Sequence, residues 1–177
     1  GAQGRILDLG CGPADITVRF ARRNPGVEML GVDGSQAMLE HGLRRIREHG
    51  LSERITLRCL LLPSDELQEQ FDGAISNSLL HHLHDPSVLW QSLKKHVRPG
   101  APVFIMDLLR PQSIEEAERM VDEYSADEPE VLRQDFFLSL KAAFRVGEVE
   151  EQLREAGLSH LQVEAVTDRH LAVYGLL

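Results

Sequence analysis

Asp8, Gly10, Gly12 and Asp33 are the residues of this 177-residue chain whose types and spacing first suggest chemistry. The apolar run Arg5-Ile6-Leu7-Asp8-Leu9 leads directly into Gly10-Cys11-Gly12, and Gly31-Val32-Asp33 follows one helical segment later. A buried strand ending in Gly-x-Gly lets the backbone turn sharply and approach a ligand, while the next helix aims its first amides into the same crevice. An acid about 20 residues beyond such glycines, at the end of the second strand, is placed to accept hydrogen bonds from ribose hydroxyls. Asp33 occupies that place. The glycines alone are a weak signal, because many loops need only a left-handed residue. Two acids sharpen it. A dinucleotide fingerprint continues to a third glycine, whereas this chain carries Asp15 there, a poor neighbour for phosphate and a better one for a cation. Asp8 lies inside the apolar strand, where an unpartnered carboxylate is costly, so it should accept hydrogen bonds from turn amides or from a positively charged ligand group.

A second constellation is Asn77-Ser78-Leu79-Leu80-His81-His82-Leu83-His84-Asp85, where the fourth predicted strand runs out. Ligands of open α/β sheets bind at that carboxyl edge. His81 or His82 is a candidate base, since imidazole balances its proton near neutral pH; the competing role is to cap the turn or support the loop. The three histidines with Asp85 sit in a predicted loop rather than on one helical face, with no distant ligand to complete a site, so no metal is expected.

The elements that must hold these residues alternate. Strands are expected at residues 5 to 10, 27 to 33, 55 to 61, 71 to 77 and 102 to 108, with helices at 14 to 24, 35 to 49 and 86 to 97. The fold class is therefore α/β, a doubly wound and mostly parallel sheet. Asn24-Pro25-Gly26, His49-Gly50 and Arg98-Pro99-Gly100 end the helices, and Ser35 reads as the N-cap of the second. Residues 62 to 70 are polar and leave a short helix undecided. Residues 111 to 145 read as a helical insertion over the site, broken at Pro129, with an apolar stripe through Met120, Val121, Tyr124, Val131, Leu132, Phe136, Phe137, Leu140 and Phe144. Most such stripes are core. Thr167-Asp168-Arg169 separates two apolar runs as a C-terminal antiparallel hairpin.

Length fits one domain over residues 1 to 177. A net charge of −9 and the lack of a basic stripe interleaved with aromatics argue against a nucleic-acid partner. Lys94, Lys95, His96 and Arg98 read as solvated capping of a helix C-terminus. No apolar run is long enough to span a bilayer, and two cysteines make no disulfide framework, so a reducing cytoplasm is expected. The chain opens on its first strand, so an N-terminal lid segment is expected to be missing and the pocket more open than in a longer form.

These segments resemble the class I methyltransferases that use S-adenosylmethionine. The resemblance runs through Leu7-Asp8-Leu9-Gly10-Cys11-Gly12-Pro13, Gly31 to Ser35, Phe71 to Leu83 and Leu93 to Asp107, and is nearest to the small-molecule type that includes quinone biosynthesis. It implies S-adenosylmethionine as cofactor, with Gly10, Cys11 and Gly12 shaping the cofactor loop, Asp33 and Gly34 at the ribose and Asp8 near the methionine end. By position, Met38 is placed to pack near an adenine face, with core filling as the commoner role of a helical methionine, and Asn77 and Ser78, directly at the strand end, are candidates for contacts near the methionine part. The family usually carries an acid for the adenine amine after the third strand, which this chain lacks; backbone around Leu60 and Leu61 would replace it. The implied reaction is in-line methyl transfer to a small-molecule acceptor. Competing readings are a non-catalytic cofactor-binding module and a nicotinamide-dependent oxidoreductase, the latter opposed by Asp15 and the hairpin.

Overall fold

The computed structural model describes residues 2 to 177. The elements run β1 (Gln3–Leu9), α1 (Asp15–Arg23), β2 (Gly26–Asp33), α2 (Gln36–Glu48), β3 (Ile55–Cys59), β4 (Gly73–Asn77), α3 (Ser87–His96), β5 (Pro102–Leu108), α4 (Ile114–Tyr124), α5 (Glu130–Ala142), α6 (Val146–Glu155), β6 (Gln162–Ala165) and β7 (His170–Leu176). They build one seven-stranded sheet in the order β3-β2-β1-β4-β5-β7-β6. The first five strands are parallel; β7 pairs antiparallel with β5, and β6 with β7. This is the α/β sheet with a terminal hairpin that the sequence pattern predicts. Chain order reverses between β1 and β4, and such a switch point opens a crevice at the carboxyl ends of the strands.

A strand covered on both faces needs apolar side chains in both directions, which is why β1 and β2 read as near-continuous apolar runs. Leu7 and Leu9 of β1 enter a core with Phe71, Trp90, Leu93 and Leu153, while Ile6 enters the opposite core with Val18, Met29 and Ile46. By the same alternation Asp8 faces the α1 side. A third, smaller core of Leu108, Ala117, Met120, Val121, Leu140 and Ala143 ties α4 and α5 to the end of β5. Met120, Val121 and Leu140 of the predicted stripe are thus packing residues, whereas Tyr124, Val131 and Leu132 are exposed.

Two local expectations change and one open point closes. Strand β3 stops at Cys59, and residues 62 to 70 form turns without a helix, with Leu67 buried as their anchor. The basic cluster ending α3 is tied down rather than simply solvated. Lys94 Nζ donates to the Ala156 carbonyl at 2.8 Å, Lys95 meets Asp65 at 2.6 Å, Arg98 pairs with Asp72, and His96 is buried. These contacts are between residues far apart in sequence, so periodicity gives no sign of them.

Trp90 has no exposed surface, and its indole Nε1 donates to Gln152 Oε1 of α6 at 3.1 Å. Trp90→Ala removes the largest side chain between α3 and α6. The expected loss is about 3–5 kcal/mol of stability, read from the urea midpoint.

Candidate functional site

A cavity of about 390 Å³ opens at the carboxyl ends of β1, β2 and β4. Its floor is the turn after β1. Gly10 and Cys11 both donate their N–H groups to the Val32 carbonyl, at 2.9 and 3.0 Å, so the chain leaves the sheet only at Gly12. Gly10 has φ +71°, and a Cβ there would stand 2.8 Å from the Leu79 side chain, itself part of the cavity wall. Glycine is required on both counts.

Asp33 straps this turn to the next. Its Oδ2 accepts the Gly12 N–H and its Oδ1 accepts the Ser35 N–H, each at 2.8 Å. Ser35 then caps α2, its hydroxyl accepting from Met38 N at 3.3 Å. Asp8 is buried and accepts from the Thr17 hydroxyl of α1 at 2.6 Å, so its protein partner is a side chain and not a turn amide. Burial raises its pKa to about 7; the Thr17 hydrogen bond opposes this, and the charges of Asp15 and Asp33 add to it. The same burial, with Asp8 and Asp33 nearby, pushes the Cys11 thiol up, so it stays a neutral wall group rather than a nucleophile.

Asp8, Asp15 and Asp33 all line the cavity, and no lysine or arginine does among the described residues. Arg45 of α2 stands behind this wall, its guanidinium donating to the Pro13 carbonyl at 2.9 Å and lying 3.8 Å from Asp15 Oδ1. Gly10, Cys11, Gly12, Met38, Asn77, Ser78 and His82 share the wall, bringing together most of the residues singled out by pattern. Gly34, Leu60, Leu61 and His81 stand outside it. Leu60 donates its N–H to the Asp33 carbonyl at 3.0 Å, and Leu61 lies over Gly34. Pro13, Ile16 and Leu79 also line the cavity. They lie beside the recognised motifs, but apolar wall residues carry no chemical signature of their own.

Strand β4 delivers Asn77 and then Ser78, which adopts the left-handed φ of 57°. The Asn77 amide donates to the Ser78 hydroxyl at 3.0 Å, and Ser78 N is held by the Met106 carbonyl at 2.9 Å. A single 3₁₀ turn, Leu80–His82, follows. Asp107, at the end of β5, is buried and anchors it: Oδ2 accepts from Leu80 N at 2.7 Å, and Oδ1 from Leu108 N at 2.8 Å and faces His81 Nδ1 at 2.6 Å. The His81 and His82 rings lie 4.0 Å apart. Burial and the neighbouring His81 lower the pKa of His82, which favours its neutral form. No cluster of three or more metal-ligating side chains occurs among the described residues.

Residues 7–103 match a family model described as a methyltransferase domain. A ubiquinone biosynthesis O-methyltransferase of Pseudomonas fluorescens is 31% identical over 109 residues, covering 60% of this chain and 45% of that protein. A trans-aconitate 2-methyltransferase of Deinococcus radiodurans is 35% identical over 96 residues, covering 54% of this chain and 34% of that protein. The chain thus spans less than half the length of these curated relatives. In three dimensions it is similar to the plantazolicin methyltransferase BpumL in complex with SAH, with a TM-score of 0.75, 14% identity, and coverage of 98% of this chain and 76% of that one. That likeness is one of fold.

Gly10→Ala places a Cβ in a left-handed residue and against Leu79, while Gly50→Ala does so at φ +65° with nothing within 4 Å. Gly50→Ala is expected to lose about 1 kcal/mol from backbone conformation, and Gly10→Ala about 1–3 kcal/mol more from crowding. Urea denaturation of the pair separates the two effects.

Proposed function

The chain belongs to the methyltransferase-domain family of class I S-adenosylmethionine-dependent enzymes, and we propose that it transfers a methyl group from S-adenosylmethionine to a small-molecule acceptor. The observation that carries this reading is the cavity wall, with three carboxylates and no lysine or arginine at a glycine turn that ends in a ribose-type acid. A pyrophosphate would meet Asp15 at the helix start where it needs amides and cations. A ligand with a sulfonium and an ammonium group, and a ribose diol, meets complementary charge and acceptors instead.

The donor set fits that cofactor. Asp33 has two oxygens, each with one backbone amide already bound, and a carboxylate offers about four lone-pair positions, so acceptor capacity remains for ribose hydroxyls. Asp8 and Asp15 would face its positive end, Met38 its adenine, and Asn77 and Ser78 the methionine part. Gly34, Leu60 and Leu61, outside the cavity wall, would act through backbone groups at its rim. When bound, the cofactor supplies an electrophilic methyl group. The chain's own part is to hold the acceptor atom in line with it and to exclude water. We assign the covering role to α4 and α5, which pack at the end of β5 beside the 80–82 turn.

A small acceptor agrees with the net charge of −9, which opposes polyanion binding, and with the relatives named for ubiquinone and trans-aconitate. No helix is long and apolar enough to cross a membrane.

Calorimetry with S-adenosylmethionine and S-adenosylhomocysteine tests the cofactor, and incorporation of a tritiated methyl group into a metabolite extract tests turnover. Binding without incorporation would favour a regulatory module, and binding of neither compound would sink the whole reading. Asp33→Ala is expected to weaken cofactor binding roughly 10- to 100-fold, the range for charge-assisted hydrogen bonds of about 1.5–3 kcal/mol.

Asp8 adds a pH dependence. With its pKa raised to about 7 it is protonated in the free protein below that value, whereas a cationic ligand favours its ionised form. Binding below pH 7 therefore releases a proton. Affinity should rise with pH, by up to roughly tenfold per unit, and level off above about 7. Asp8→Asn is expected to flatten that slope in calorimetric titrations from pH 5.5 to 8, a range of about two and a half units around the shifted carboxyl.

A further inference from the structure

A separate cavity, of about 200 Å³, opens where the chain leaves β5 and enters α4. It shares no lining residue with the cavity at the glycine turn. Three cations line it, drawn from three places in the sequence: Arg110 after β5, Lys141 in the last turn of α5 and Arg145 just ahead of α6. No acid lines it among the described residues, although α4 and α5 are rich in aspartate and glutamate. Pro111, Ile114 and Ala117 supply an apolar wall, Ala117 buried and Ile114 54% exposed. Like charges brought together are unfavourable without a counter-charge, and this wall places them beside apolar surface.

The fold holds two of the three cations in place. Arg110 N donates to the Phe144 carbonyl at 3.1 Å, which brings the segment after β5 against the one before α6. Arg145 Nη2 then donates to the Gln112 and Pro111 carbonyls, at 3.3 and 3.5 Å, so its guanidinium lies across the loop; neither carbonyl neutralises it. Glu148 serves both arginines, pairing with the Arg110 side chain and accepting the Arg145 main-chain N–H at 2.7 Å. Lys141 has no such partner among the described residues; its ammonium lies 5.4 Å from the centre of the Phe137 ring. One carboxylate therefore stands against three cations. The start of α4 adds little, because the Gln112 N–H is taken by Glu116 and the Glu116 N–H by the Ser113 hydroxyl. Side chains carry the site.

We propose that this cavity binds a small organic anion with an apolar body, a carboxylate met by Lys141 and Arg145 while its carbon chain lies against Ile114 and Ala117. The space equals about six or seven liquid waters at about 30 Å³ each, enough for a carboxylate and a short chain. Inorganic phosphate would meet the charge and leave the apolar wall wet. A neutral molecule of the same shape would cover the wall and leave the cations unmet. The ligand would touch the loop after β5, α4, the end of α5 and the start of α6 at once, and so stabilise the small core that ties α4 and α5 to β5. The site stands independently of the reaction assigned to the cavity at the glycine turn.

Amide ¹H–¹⁵N spectra of the full chain, titrated at constant ionic strength with sodium octanoate, octanamide or inorganic phosphate, test this. Octanoate is expected to shift the Ile114, Ala117 and Lys141 amides saturably, with a Kd of about 1–10 mM, the range open to so small a ligand. The Gly12 and Ser35 amides at the other cavity should stay in place. Octanamide and phosphate should each bind at least about fivefold more weakly, one lacking the charge and the other the apolar body. Lys141→Glu reverses one charge at an exposed position that has no hydrogen bond to lose, and should weaken octanoate roughly tenfold. Equal binding of octanamide overturns the part given to the cations, and equal binding of phosphate overturns the apolar body. Absence of saturable shifts, shifts confined to the Gly12 and Ser35 region, or an unchanged octanoate Kd in Lys141→Glu overturns the site.

Discussion

The Asp33 carboxylate is the interaction on which the rest of the site depends. It takes one amide from the turn after β1 and one from the turn before α2, each at 2.8 Å, and so fixes two loops that share no other side-chain tie. Both amides belong to turns that would otherwise leave a donor unmet, and a hydrogen bond to a charged partner contributes about 1.5–3 kcal/mol net. The order that follows is directional. With Gly12 held, Gly10 and Cys11 continue the β1–β2 pairing through Val32, and with Ser35 held its hydroxyl is placed over the first turn of α2. The acid that would meet the ribose is thus also the acid that shapes the place where ribose would lie.

Asp107 does at β5 what Asp33 does at β2. Each is the carboxylate near the end of a parallel strand that receives backbone amides from the neighbouring turn, and together they bracket the crevice where strand order reverses between β1 and β4. The difference is burial. Asp33 is partly open to the cavity, so lone pairs remain for a ligand, whereas Asp107 is 2% exposed and spends its capacity on Leu80, Leu108 and His81. One acid faces a ligand; the other holds an imidazole.

This division sets what a sequence can disclose. The alternation of strands and helices is legible because parallel strands buried on both faces must be apolar throughout, and the hairpin because Thr167-Asp168-Arg169 interrupts two such runs. Gly10, Gly12 and Asp33 are legible because their chemistry needs a close backbone and an acid at fixed spacing. Thr17 is not, since its meeting with Asp8 depends on how α1 crosses β1, and nothing in either residue's neighbourhood announces the pairing. The early end of β3 at Cys59 escapes for a similar reason: Leu60, Leu61 and Leu62 prolong the apolar run, but Leu60 and Leu62 pack toward the core while Leu61 is 80% exposed. Adjacent histidines are ambiguous by nature. His81 differs from His82 in meeting Asp107, 26 residues away in sequence, and that distance closes only when β4 and β5 pair.

Charge carries the argument one step further. A carboxylate buried beside two others is costly to keep fully ionised, and Asp8 shows that cost in a raised pKa, chiefly through burial and to a smaller degree through Asp15 and Asp33. With its pKa raised to about 7, Asp8 is about half ionised at neutral pH, so a cationic ligand beside it would draw it toward the charged form and a neutral one would let it return. Methyl transfer makes that change, because a sulfonium becomes a thioether. On the proposed reading such a wall would favour the donor over the product without any movement of backbone, and the preference would depend on a carboxyl near its midpoint at neutral pH. A carboxylate locked in ionised form by a lysine or arginine would lose that adjustment, which gives the absence of such a partner beside Asp8 a physical purpose.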